Sequence, residues 1–111
     1  MNTITPHELK EKIKNEKVFV LDVRAEEKYL NEHIQDANIQ SVNIPKTDIF
    51  SLEEQNADEL LSALPADKEI IITCTTGNSA RKCASILAEK DYHVTLLEGG
   101  LTAWKENTLT K

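Results

Sequence analysis

Two short runs of branched apolar residues, Val18-Phe19-Val20-Leu21-Asp22-Val23 and Ile70-Ile71-Ile72-Thr73, constrain the fold of this chain more than any other feature. Neither alternates apolar with polar residues, so neither suits a strand with one wet face. Both suit strands covered on two faces, as in parallel sheets. A third run, Val94-Thr95-Leu96-Leu97, reads as a further strand, and Ile39, Val42 and Ile44, stopped by Pro45, predict a short extended piece. Helical patterns lie between them. Thr5-Pro6-His7-Glu8 is a helix start, with a threonine cap, proline at the first helical position and a glutamate completing a capping box. Ser51-Leu52-Glu53-Glu54 repeats the box ahead of Ala57, Leu60, Leu61 and Leu64, which predicts a helix ending before Pro65. Ala25 to Asn31 turns helix-like and charged, Ala80, Cys83, Ala84, Leu87 and Ala88 share one helical face, and Leu101 to Glu106 closes the chain after Gly99-Gly100. Apolar strands alternating with amphipathic helices imply an α/β fold, a mainly parallel central sheet with helices on both faces. In such sheets ligands bind beyond the carboxyl ends of the strands. Asp22, Arg24 and Cys74 fall at such ends.

The length, 111 residues, is that of one domain, residues 1–111. Thirteen basic against nineteen acidic residues give a formal charge of −6, which leaves no electrostatic footprint for nucleic acid. Met1-Asn2-Thr3-Ile4-Thr5-Pro6 has no basic region followed by an apolar run, and no stretch approaches a membrane span, so a cytoplasmic location and no membrane partner are expected. The two cysteines match no zinc or CxxC spacing, and His7, His33 and His93 are scattered. No metal or cofactor is assigned.

The loop Cys74-Thr75-Thr76-Gly77-Asn78-Ser79, set between a buried strand and a helix, has the construction of an anion cradle. Backbone N–H groups curled around the sulfur and the positive end of the following helix both favour thiolate over thiol. Gly77 takes a positive φ without cost, Asn78 tolerates one, and Thr75, Thr76 and Ser79 carry hydroxyls that can donate into the bowl. A nucleophilic cysteine follows, with the same amides available to hold an added sulfur.

At these residues the chain resembles the single-domain rhodaneses, the thiosulfate-type sulfurtransferases. Val20-Leu21-Asp22-Val23-Arg24 resembles the family's second-strand motif, and Tyr29, His33-Ile34 and Ala37 resemble its N-terminal signature. Cys74 to Ser79 resembles the active loop, while Leu97-Glu98-Gly99-Gly100 with Ala103-Trp104 resembles the C-terminal signature. The resemblance implies a rhodanese-like sheet of about five strands. It also implies ping-pong chemistry. The Cys74 thiolate takes a sulfane sulfur from thiosulfate or a persulfide donor, and the Cys74 persulfide passes it to a thiol, a protein or another nucleophilic acceptor. Thr75, Thr76, Gly77, Asn78 and Ser79 would bind the anionic sulfur through their amides.

The sequence departs from that pattern in places. Gln35-Asp36 replaces the usual Pro-Gly, Asn38 to Ser41 look like added residues, and the loop carries no Arg or Lys. On an acidic chain the last point weakens capture of a dianion and favours a carrier protein or thiol persulfide as donor. Cys83 is expected in the core, Asp22 and Arg24 in a structural ion pair, His33 in packing or capping, Arg81 and Lys82 in solvent, and Trp104 as an anchor against the sheet. Two other readings stand beside sulfur transfer. One is a binding or redox-sensing module on the same fold. The other is a cysteine phosphatase or arsenate reductase, which needs an arginine six positions after the cysteine, where this chain has Ala80.

Overall fold

The computed structural model describes residues 2–51, 62, 64, 65 and 67–109. Five strands form one sheet: β1 (Asn2–Ile4), β2 (Val18–Asp22), β3 (Ile39–Asn43), β4 (Ile70–Thr73) and β5 (Val94–Leu97). Their spatial order is β1-β5-β4-β2-β3, and every pairing is parallel. The helices are α1 (Pro6–Ile13), α2 (Glu26–Asn31), α3 (Lys46–Phe50), α4 (Asn78–Glu89) and α5 (Gly100–Leu109). The expected α/β architecture, with a parallel sheet between helical layers, is present.

The three central strands β2, β4 and β5 are buried at every position, the signature of strands covered on two faces. Side chains alternate between two cores, as the pleat requires. Phe19, Leu21, Ile70, Ile72 and Leu96 face one core with Ala80, Cys83, Ala84 and Leu87 of α4 and Ile49 of α3. Val18, Val20, Ile71 and Leu97 face the other with Leu9 and Ile13 of α1 and Leu101 of α5. Cys74 continues the alternation onto the α4 side.

At Thr5 the capping box forms in full: Glu8 N–H donates to the threonine hydroxyl at 3.1 Å, and Thr5 N–H donates to the Glu8 carboxylate at 2.9 Å. The Thr5 N–H, with help from the Thr5 hydroxyl, holds the Glu8 carboxyl below the usual range. Two elements were not anticipated. Edge strand β1 is short and largely exposed, without the apolar run that marks its neighbours. Helix α3 occupies Lys46–Phe50, and Ser51 is its C-cap, with the hydroxyl donating to the Thr47 carbonyl at 2.9 Å. The remainder of the helix expected after Ser51 lies outside the described residues, apart from Ser62 and Leu64.

The carboxyl ends of the inner strands align. Asp22 is in register with Thr73 of β4 and with Asn43 of β3, so the segments leaving these strands emerge side by side. Val23 N–H to the Thr73 carbonyl (3.0 Å) and Lys46 N–H to the Val23 carbonyl (2.9 Å) carry the pairing one step further.

Leu21 is fully buried between the layers, whereas Leu30 on α2 is 71% exposed. Leu21→Ala should lower unfolding free energy by about 2–5 kcal/mol in a urea titration. Leu30→Ala should change it by less than about 0.5 kcal/mol.

Candidate active site

Cys74 follows β4, and the next turn carries the chain into α4. Gly77 sits in the left-handed region at φ 105° as the N-cap of α4, and no side chain caps that helix in the ordinary way. The sulfur does so instead. Cys74 Sγ accepts the N–H of Gly77 at 3.0 Å and the N–H of Ala80, the third residue of α4, at 3.4 Å. It takes the place of a capping oxygen and sits where the positive end of the helix dipole is strongest.

On its outer side the loop is anchored to α5. The carbonyls of Cys74 and Thr75 accept the N–H groups of Leu101 (2.8 Å) and Thr102 (3.0 Å), two of the otherwise orphaned donors at the start of α5. Such close approach requires Gly100, at φ +60°, because an added Cβ would lie 2.4 Å from the Cys74 carbonyl oxygen and 2.8 Å from that of Thr75. Gly100 is thus a support for the cysteine loop as well as part of the strand terminator anticipated from sequence.

Cys74 is 5% exposed. It lines an open depression of about 330 Å³ together with Val23, Arg24, Lys28, Lys46, Thr75, Thr76, Asn78 and Ser79. All the loop residues singled out in the sequence are therefore gathered at one place, Gly77 beneath and the others around the rim. Ala80 N–H is the contributor that lay beyond the expected loop. Thr75, Thr76 and Asn78 are exposed, and Ser79 Oγ accepts a hydrogen bond from Lys46 Nζ at 3.4 Å.

Asp22 and Arg24 form a buried pair. The carboxylate accepts both the Arg24 backbone N–H (2.9 Å) and its guanidinium, with Nη2 at 2.8 Å, and Nη2 also donates to the Glu32 carbonyl at the end of α2. Asn43 Nδ2 donates to the carbonyls of Asp22 (3.0 Å) and Arg24 (2.9 Å) and holds the turn from outside. The pair locks the β2 end beside the loop, in keeping with the structural role expected for it.

The other singled-out residues lie elsewhere. His33 Nδ1 donates to the Tyr29 carbonyl at 2.8 Å, with the two rings stacked at 3.9 Å, which is a capping role. Lys82 lies 4.8 Å over the Phe50 ring, Arg81 is exposed and outside the depression, and Trp104 is half-buried against the second core. Cys83 is fully buried, and burial pushes its thiol from 9.0 up to about 12, the nearby Cys74 adding to the rise. Sequence reasoning missed Lys28 and Lys46, because each lies far from Cys74 along the chain.

Residues 5–107 match the family model described as the rhodanese-like domain. The chain belongs to the rhodanese-like family. This rhodanese-like chain is 28% identical to the protein named thiosulfate sulfurtransferase GlpE of Actinobacillus pleuropneumoniae, over 96% of this chain and 88% of that one. It is 31% identical to the putative sulfurtransferase YtwF of Bacillus subtilis, over 93% of this chain and 89% of that one. Among solved structures, a rhodanese-related protein of Thermoplasma volcanium superposes with a TM-score of 0.72 at 30% identity, covering 96% of this chain and 93% of that one. The rhodanese-like family assignment agrees with the resemblance read from the motifs, and the family is one of sulfurtransferases. Among the described residues no helix is long and apolar enough to cross a membrane.

Gly100→Ala should disturb the loop from behind. Its added methyl meets backbone at both carbonyls, so the loss of stability should exceed the ~1 kcal/mol of a simple positive-φ penalty, and the rate of Cys74 alkylation should change with it. The two thiols should also separate cleanly. Near neutral pH iodoacetamide should label Cys74 in the folded protein and Cys83 only after unfolding, as read by peptide mass mapping. The folded state holds the Cys83 proton more tightly than the unfolded chain does. Stability should therefore be undiminished below pH 9.0 and fall as pH rises towards about 12, a fall that Cys83→Ala removes.

Proposed function

We propose that Cys74 accepts a sulfane sulfur as a persulfide and passes it to a nucleophilic acceptor, in the cytoplasm. The observation that carries this reading is the sulfur held by two inward amides at a strand-to-helix junction beside an open depression. Those amides stabilise negative charge on whichever sulfur occupies the cradle, before and after transfer.

The exchange has two halves. The Cys74 thiolate attacks the sulfane sulfur of the donor, an S–S bond forms to Cys74, and the donor's own S–S bond breaks with its electron pair leaving on the departing group. An acceptor nucleophile then attacks the outer sulfur of the persulfide, and Cys74 leaves as thiolate. With thiosulfate as donor the departing group is sulfite. Thr75, Thr76, Gly77, Asn78 and Ser79 form the bowl, with Ala80 supplying the second amide.

Of the chain's two cysteines, Cys83 is sealed in the core as a thiol, so the acceptor comes from outside the site. Small thiols and a protein cysteine both meet that need. The phosphatase alternative lacks its arginine: the sixth residue after Cys74 is Ala80, fully buried, with Arg81 turned away at the surface.

Purified protein treated with thiosulfate or a thiol persulfide should gain one sulfur atom at Cys74, and Cys74→Ala should gain none. Intact-mass spectrometry with peptide mapping reads the result. No adduct from any donor, together with hydrolysis of an aryl phosphate, would move the assignment to the phosphatase class.

A further inference from the structure

The cradle around Cys74 is made of neutral amides, yet three basic side chains border the depression: Arg24, Lys28 and Lys46. They are not equivalent. The Arg24 guanidinium is spent on Asp22 and on the Glu32 carbonyl, so its charge is matched by a buried carboxylate. Lys28 stands at the rim on α2. Lys46 reaches the loop itself, with its ammonium 3.4 Å from Ser79 Oγ, and it forms no ion pair among the described residues. Its charge is felt below the loop as well, where it opposes the rise of the Cys83 thiol.

We propose that Lys46 is a specificity-determining residue of this site, holding the anionic head of a sulfonate-bearing sulfur donor while the donor's sulfane sulfur meets Cys74. The inference rests on the sulfur-transfer reading above and adds the residue that selects among donors. It also answers the expectation that a loop without Arg or Lys weakens capture of a dianion: the charge comes from α3, on another strand connection.

The geometry suits this division of labour. Lys46 follows Pro45 at the exit of β3, and its backbone N–H is tied to the Val23 carbonyl at 2.9 Å, so the root of the side chain is fixed while the ammonium stays at the mouth. Ser79 Oγ, bonded to that ammonium, lies on the α4 side of the same mouth. In the transfer the Cys74 thiolate bonds to the sulfane sulfur of thiosulfate, the S–S bond to the sulfonate sulfur breaks, and sulfite leaves with the electron pair. Charge balances: one negative thiolate and a dianion become a singly charged persulfide and a dianionic sulfite. The head that Lys46 holds is therefore the leaving group, and a cation there favours both capture and departure.

The test compares two donors, thiosulfate and the persulfide of 2-mercaptoethanol, which has no charge outside its sulfur chain. Sulfur loading of Cys74 is followed at increasing ionic strength in wild type, Lys46→Met and Lys46→Arg. In Lys46→Met the KM for thiosulfate should rise about tenfold or more. Lys46→Arg should recover most of the loss, and the salt dependence of KM seen in wild type should flatten in Lys46→Met alone. Loading from the persulfide should shift by no more than about twofold. An equal loss with both donors, or an unchanged KM for thiosulfate, would overturn the role of Lys46 and leave sulfur transfer intact. Failure of wild type to load from either donor would overturn sulfur transfer itself.

Discussion

The site depends on two carbonyl groups being held away from the sulfur. Leu101 and Thr102, opening α5, bind the carbonyls of Cys74 and Thr75, and the peptide planes of the turn are oriented by that anchorage. The two anchored peptides, 74–75 and 75–76, immediately precede the one whose Gly77 N–H reaches Sγ, while the Ala80 N–H comes from the first turn of α4. A helix on the opposite side of the loop thus fixes the start of the turn that carries the sulfur. Gly100 makes this possible by having no side chain, and the left-handed turn at Gly77 gives the loop its curvature.

Around this core of the site the protein places charge with economy. Asp22, buried at the end of a central strand, is satisfied by the backbone and guanidinium of Arg24, which in turn binds the last turn of α2. The arrangement is a strut. A buried carboxylate without that partner would be strongly destabilising, so the pair must form together with the strand end it braces. Lys46, by contrast, stays exposed at the mouth of the depression with no ion pair among the described residues, where charge can act on something that arrives.

Much of this was legible in the sequence, for reasons specific to each element. β2, β4 and β5 announce themselves because burial on both faces demands an unbroken apolar run, and the Thr5 capping box is a local pattern with local partners. The cysteine loop was visible because its glycine serves backbone curvature nearby in the chain. β1 was hidden, since an exposed edge strand of three residues needs no apolar pattern, and α3 was hidden because it is too short to show a periodicity. Ala80 looked like an ordinary core position, and its contribution is through the main chain. Lys46 and the outward brace from α5 are tertiary facts. They join residues that meet only when β2, β3, β4 and β5 lie side by side, and no spacing along the chain encodes them.

The pairing of β1 with β5 carries a kinetic consequence. Asn2 lies opposite Thr95, and Ile4 opposite Leu97, so the first strand docks on the last one and almost the entire chain is enclosed between the two partners. Closing so large a loop in an otherwise unfolded chain costs more entropy than any nearer pairing, so the contact is expected after the central strands have assembled. During synthesis the amino-terminal segment must therefore wait for the final strand, and the sheet's outer edge is the last part of the molecule to be zipped shut.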